Sequence, residues 1–424
     1  MRGARWYVML AALAAVATGC SGDERRPSSE PRSSPSPRES PTSATSATER
    51  PVSVKELARL DKLIGQAEFP DRVGPGFELR DVYYTSPTDA VADFVRDGRS
   101  IKDWASAVAT TDDNWRHVTT FVLPYDVADG FEYVPLADGA VAIRVGDEYS
   151  RRPIPPFVLL PGGKVRPLRK VPARPLDAGS TLLDVEFWRL AGLTDRWNPG
   201  RLWAVDGDEG EMFPVEGSRY GELWQRVPGR DGAIFSVDGF DRRTQTWRFD
   251  TSTDGGRSWT TADVDLPSSL GRSPYFVSGS DSAVGPGHRQ AVAMTKELED
   301  LPLVLLELWQ TEDERAFRRV PLPWDEPYFG GMAYTPDGAL LLAEVLEPEP
   351  RCASSYSCPR PGRIWRLAPG RNKFQTALGA PRLSGHFAYV GIDVSGGMIV
   401  ARTSMRSVAV SRDGHRWTEV TPGR

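Results

Sequence analysis

The stretch Ser252-Thr253-Asp254-Gly255-Gly256-Arg257-Ser258-Trp259 decides how the rest of this chain is read. It fits Ser-x-Asp-x-Gly-x-x-Trp at every position, and each residue type has a local job. The Ser252 hydroxyl and Asp254 carboxylate can accept hydrogen bonds from turn amides, which holds a tight hairpin. Gly255 and Gly256 supply positive φ at no steric cost. Trp259 starts the next strand and is expected to bury a large ring against the neighbouring sheet. Ser411-Arg412-Asp413-Gly414-His415-Arg416-Trp417 is a shorter copy, with one residue fewer between Asp and Trp. Thr111-Asp112-Asp113-Asn114-Trp115 reads as a third, more degraded copy.

Outward from these turns one pattern recurs. An apolar strand meets a polar turn, then an aromatic or apolar anchor, then Val or Leu, and a Pro closes the unit. The anchors are Trp115, Val165, Trp224, Trp259, Phe317, Phe374 and Trp417, at spacings from 35 to 59 residues. A four-stranded propeller blade takes roughly 40 to 50 residues. Short β-rich runs lie between the anchors, among them Ala233–Val237, Ala291–Met294, Val304–Trp309 and Leu340–Val345. Gly207, Gly232, Gly239, Gly338 and Gly414 each follow an Asp, as tight hairpins favour. The Gly/Ser-rich residues 273–290 and the Pro-rich residues 346–363 read as loop insertions. The 40 Gly, 36 Pro and 13 Trp agree with many short strands rather than long helices.

The turns resemble the Asp-box of sialidase-type β-propellers, a group that includes sialidases, sortilin-type receptors and bacterial surface proteins. The resemblance implies an all-β fold over 77–424: a β-propeller of seven four-stranded blades, with six as the alternative. It also implies that Ser252, Asp254, Gly256, Trp259 and Ser411, Asp413, Gly414, Trp417 brace hairpins away from the central channel. A sialidase-like site would need three arginines on a carboxylate, a Tyr–Glu nucleophilic pair and an acid/base Asp. The Arg-Ile-Pro motif of those enzymes is matched only by Arg151-Arg152-Pro153-Ile154-Pro155, in changed order. No catalytic residue is assigned.

The amino terminus carries an address. Arg2 and Arg5 precede an apolar run, Trp6 to Val16, which is too short for a stable membrane span. It ends in Ala17-Thr18-Gly19-Cys20, which resembles a bacterial lipobox. The resemblance implies a signal over 1–19, acyl chains on Cys20 and anchorage at the outer face of the cell membrane. An ordinary secretory signal with a chance cysteine is the alternative. Residues 20–50 are rich in Ser, Thr and Pro, and the composition predicts a disordered tether. Residues 51–76 form a helical lead-in, with Ser53 capping, Glu56 closing the box, and Leu57, Leu60, Leu63 and Ile64 on one face. Cys352 and Cys358 lie six apart in an extracytoplasmic setting, which predicts a disulfide, with two free thiols as the other reading.

Several chemistries lack their signatures. Net charge is −5, so no global basic field points to nucleic acid. The four histidines are far apart, and no metal-ligand spacing, phosphate loop or nucleophile elbow occurs. Asp206-Gly207-Asp208-Glu209-Gly210-Glu211 is acidic but lacks the spacing of a calcium loop and reads as a solvated turn. The sequence thus predicts a monomeric binding module for a glycan, a peptide or an envelope protein, without cofactor or metal. A sialidase-like exo-glycoside hydrolase is the competing reading.

Overall fold

The computed structural model describes residues 51–423 apart from 97–103, 125–130, 137–138, 146–153, 178, 184–201, 219–222, 227–232, 242–245, 266–278, 299–300, 323–327, 347–359, 384–391 and 396. Cys20, Cys352, Cys358 and Arg151–Pro153 lie outside the described residues.

The chain opens on α1 (Val54–Ile64). The Ser53 hydroxyl accepts from the Glu56 amide and the Glu56 carboxylate accepts from the Ser53 amide, the predicted capping box. Leu60 and Leu63 are buried. Beyond it the chain is a succession of short antiparallel strands. β1 (Glu78–Tyr84), β2 (Ala90–Arg96), β3 (Ala105–Thr111) and β4 (Thr119–Pro124) form the first sheet. β5 (Phe131–Pro135), β6 (Val141–Val145), β7 (Phe157–Leu159) and β8 (Val165–Pro167) form the second.

The third sheet departs from the simple meander. Its strands β10 (Thr181–Leu182), β11 (Trp203–Asp206) and β12 (Glu211–Pro214) are flanked by β9 (Arg169–Lys170), which precedes them in sequence and runs parallel to β12. The order is regular again in β13 (Leu223–Arg226), β14 (Ile234–Asp241), β15 (Thr246–Ser252) and β16 (Thr260–Asp265). β17 (Gly279–Val284), β18 (Gln290–Leu298), β19 (Leu301–Thr311) and β20 (Arg318–Val320) follow. The next sheet holds β21 (Tyr328–Tyr334), β22 (Leu340–Leu346), β23 (Arg360–Leu367) and β24 (Gln375–Thr376). It is joined to its predecessor by the pairing of Val304 with Tyr328. β25 (Ile392–Ser395), β26 (Met398–Arg402), β27 (Val408–Ser411) and β28 (Thr418–Val420) complete the chain.

The described strands fall in chain order into groups of four, numbered blades 1 to 7 below, with the fifth and sixth groups joined in one eight-stranded sheet. Their cores make a closed circuit, because alternate residues of each strand face the blade before and the blade after. Val91 of blade 1 packs with Ile143 of blade 2, Ala142 with Val205 of blade 3, and Phe213 with Ile234 of blade 4. Phe249 then packs with Val292 of blade 5, Leu308 with Leu342 of blade 6, and Leu341 with Ile399 of blade 7. Finally Val400 packs with Ala92 of blade 1. First strands neighbour one another, β13 beside β17, β17 beside β21, β21 beside β25 and β25 beside β1. They therefore line the axis, and the chain is an all-β β-propeller.

Blades 1 and 7 are each built from contiguous sequence, so no strand is exchanged to close the ring. The joint is held by the shared core, by Leu79 N–H donating to Met405 O (2.9 Å), and by Val73 N–H donating to Gly423 O (2.9 Å).

Three sequence expectations are corrected. Trp224 lies on β13, the first strand of blade 4, and does not end blade 3. Blade 3 takes its outer strand from β9 upstream, so no anchor follows β12. Residues 279–284 form β17, although Gly and Ser give them little strand propensity; small side chains suit a strand at the axis. Gly239 sits at a register shift within β14, between Asp238 and Phe240, and marks a bulge rather than a hairpin turn.

Candidate functional site

The opening octet joins β15 to β16, the two outer strands of blade 4. The Ser252 hydroxyl donates to Asp254 Oδ1 (3.0 Å) and accepts from the Gly256 amide (2.8 Å). Asp254 accepts from the Ser258 amide (2.9 Å) and hydroxyl (2.6 Å). The φ values of Gly255 and Gly256 are 73° and 91°, the left-handed region that glycine enters freely. The Trp259 ring is half-buried against the core between blades 3 and 4, and its Nε1–H donates to Gly256 O (2.9 Å).

Three other blades repeat the device between their third and fourth strands. In blade 7 the Ser411 hydroxyl accepts from the Gly414 amide (2.9 Å), and Asp413 accepts from the His415 and Arg416 amides (both 2.8 Å). In blade 1 Asp113 accepts from the Arg116 and His117 amides at 3.0 and 2.9 Å. In blade 5 Asp313 accepts from the Arg315 and Ala316 amides (both 2.9 Å). That last turn, Thr311-Glu312-Asp313, was not legible as a copy, because Glu314 takes the left-handed position (φ 62°) that glycine holds in blade 7.

Trp115 is also reassigned. It occupies the Gly256 position at φ 68°, with its amide on the Thr111 hydroxyl (2.9 Å) and its Nε1–H on the Tyr84 hydroxyl (3.0 Å). Amide donors hold the Asp113, Asp313 and Asp413 carboxyls down at about 2 and lower that of Asp254, where the Ser258 hydroxyl leads. All four carboxylates are consumed in holding their own turns.

The opposite end of the blades is different. First and third strands run the same way, so the starts of first strands and the ends of second strands lie away from these turns. Toward it, blades 1, 2 and 7 bring Arg80 and Asp81 on β1, Glu132 on β5 and Arg402 on β26, with Asp93 midway along β2, Tyr133 midway along β5 and Tyr83 farther along β1. Asp93 is 3% exposed, with Oδ2 3.5 Å from an Arg80 guanidinium nitrogen. Arg80 falls at a register shift of β1, between Leu79 and Asp81, so a bulge turns it onto Asp93. Asp81 lies directly opposite Asp93 in the strand pair. Burial pushes the Asp93 carboxyl up to about 7; Arg80 opposes this, and Asp81 and Glu132 add to it. Tyr83 and Tyr133 meet edge to face at 6.0 Å, and burial raises the Tyr133 hydroxyl.

The described residues of this end include the residue types of a carboxylate-gripping site, but not three arginines converging on one point. Arg402 is buried and donates to the Arg80 and Ser404 carbonyls. Arg144 is buried on the face of β6 that alternation turns toward blade 3. Among the described residues of blades 1, 2 and 7, a ligand carboxylate would meet Arg80, whose side chain is 43% exposed.

Two further buried carboxylates went unnoticed in the sequence. Glu307 pairs with Arg319 (3.0 Å) and accepts from Trp309 Nε1–H (3.1 Å). Glu344 pairs with Arg363 (2.7 Å) and accepts from Trp365 Nε1–H (2.8 Å). Blades 5 and 6 thus share a Glu–Trp–Arg arrangement built from residues too scattered to form a motif. The acidic turn at 206–211 is not simply solvated: Arg174 pairs with Asp206 (2.7 Å) and Glu211 (3.1 Å), and Arg169 with Glu211 (2.6 Å). No metal-binding group of His, Cys, Asp or Glu occurs among the described residues, and none of their helices is long and apolar enough to cross a membrane.

No family model and no curated protein matches this chain. Solved structures do. The β-propeller domain of the trilobed protease from Pyrococcus furiosus is similar at 9% identity and a TM-score of 0.46, over 82% of this chain and 96% of that one. A catalytically inactive virginiamycin B lyase from Staphylococcus aureus with quinupristin is similar at 10% identity and a TM-score of 0.39, over 84% and 98%. The NanB sialidase from Streptococcus pneumoniae is similar at 9% identity and a TM-score of 0.34, over 83% and 68%. At these identities the likeness concerns the fold alone.

Proposed function

We propose that this chain is a lipid-anchored extracellular β-propeller that binds a glycan, peptide or envelope-protein ligand without catalysis, and that its four turns are Asp-boxes serving as blade joints. The observation that carries the reading is the state of the mouth. Arg402 is buried, while Arg80, Asp81, Tyr83, Glu132 and Tyr133 remain partly or fully exposed on β1 and β5. Aromatic faces with a few placed polar groups are the usual equipment of a binding surface. Cys20 and the 20–50 segment would hold this face clear of the membrane on a tether that reaches on the order of 90 Å when extended.

Glycan and peptide arrays probed with the purified chain test the reading. Micromolar binding that Tyr133→Ala or Arg80→Ala weakens at least tenfold is expected. No binding, or binding that neither variant alters, contradicts it.

One observation favours the sialidase-like hydrolase instead. Asp93 holds its proton up to about 7, as a general acid must, and a tyrosine and a glutamate stand beside it.

A further inference from the structure

We propose that Asp93 is a pH switch that sets the charge of the mouth between blades 1 and 2 and its hold on Arg80. The surrounding groups are specific. β1 contributes Arg80 at 3.5 Å, Asp81 directly opposite in register, and Tyr83. β5 contributes Glu132 and Tyr133. β3 places apolar Val108 opposite Asp93, and β6 turns Ile143 into the same seam. From blade 7, Arg402 reaches the Arg80 carbonyl.

Burial and two like-charged carboxylates favour the neutral acid, and the Arg80 guanidinium and the Phe94 amide favour the anion. Burial prevails and holds the carboxyl up to about 7. Ionised, Asp93 forms an ion pair with Arg80 and adds a third negative charge beside Asp81 and Glu132. Protonated, Asp93 removes one negative charge from the mouth and loosens its hold on the half-exposed Arg80 guanidinium. Arg80 is also the bulged residue whose carbonyl Arg402 holds, so the same proton is felt at the joint that closes the ring.

The sign follows from linkage. Between about 4 and about 7 the folded chain holds a proton that the unfolded chain has lost, so this group's contribution to stability falls as pH rises through that window and levels off above it.

The test is the carboxyl carbon chemical shift of Asp93, followed from pH 4 to 9 in the full chain and in Asp81→Asn and Arg80→Gln. A midpoint near 7 is expected, lower in Asp81→Asn and higher in Arg80→Gln. A midpoint below 5, or one that neither variant moves, overturns the switch. In parallel, the urea midpoint of the unmodified chain should drop between pH 5 and 8 more steeply than that of Asp93→Asn; equal slopes also overturn it. Should Asp93→Asn not fold, the two titration variants still decide.

Discussion

Gly255→Ala should destabilise the chain well beyond what its backbone conformation requires. At φ 73° a side chain costs roughly 1–2 kcal/mol. The added Cβ would also lie 2.6 Å from the Leu176 carbonyl oxygen and 3.2 Å from its nitrogen, both backbone atoms of the segment between β9 and β10 in blade 3. That segment is bound to the turn by Leu176 N–H donating to Gly255 O (3.0 Å). Pushing it away adds an overpacking cost of roughly 1–3 kcal/mol and weakens a bond that contributes about 1 kcal/mol. The sum is ~3–6 kcal/mol. Gly287→Ala is the control: its φ is 71°, but its Cβ would meet nothing within 4 Å, so only the conformational cost of ~1–2 kcal/mol applies. Urea unfolding of both variants, with m-values compared, measures the difference. A gap of at least ~1.5 kcal/mol supports the turn as a joint between blades 3 and 4. Equal losses would refute it.

Three other outcomes follow from the same geometry. Because the Asp113, Asp313 and Asp413 carboxyls sit near 2 when folded, their support is present above about pH 4 and lost as pH falls toward 2; an acid unfolding curve that Asp413→Asn leaves unchanged would contradict this. Trp259→Ala should cost ~2 kcal/mol, below the 3–5 of a fully buried ring, since this ring is half-buried; a loss above ~4 kcal/mol in urea unfolding would place it in the core. Cys20→Ser should move the protein from the membrane fraction to the medium, or leave its signal uncut; unchanged membrane retention would exclude lipid as the anchor.

What the sequence disclosed was local. The octet at 252–259 was legible because glycine, serine and aspartate state their turn without help from distant residues. The capping box at Ser53 and Glu56 was legible for the same reason, although the helix stops at Ile64. The blade 5 turn escaped because Thr311 and Glu314 carry the same backbone path without glycine. Trp115 misled because it fills a left-handed position where a strand anchor was expected. β9 could not be foreseen, since its pairing with β12 spans some 40 residues and runs parallel. The mouth was invisible for a related reason: Arg80, Asp93 and Glu132 meet only when blades 1 and 2 pack, Arg402 joins them only once the ring closes, and the bulge that aims Arg80 leaves no sequence mark.

Incubation of the purified chain with a panel of fluorogenic sialosides and other glycosides, at pH 5 and pH 7, tests most directly whether this propeller binds without catalysis. The reading advanced for the mouth predicts no release of fluorophore above buffer at either pH. Turnover that disappears in Asp93→Asn or Glu132→Gln would contradict it and make the mouth a hydrolase site.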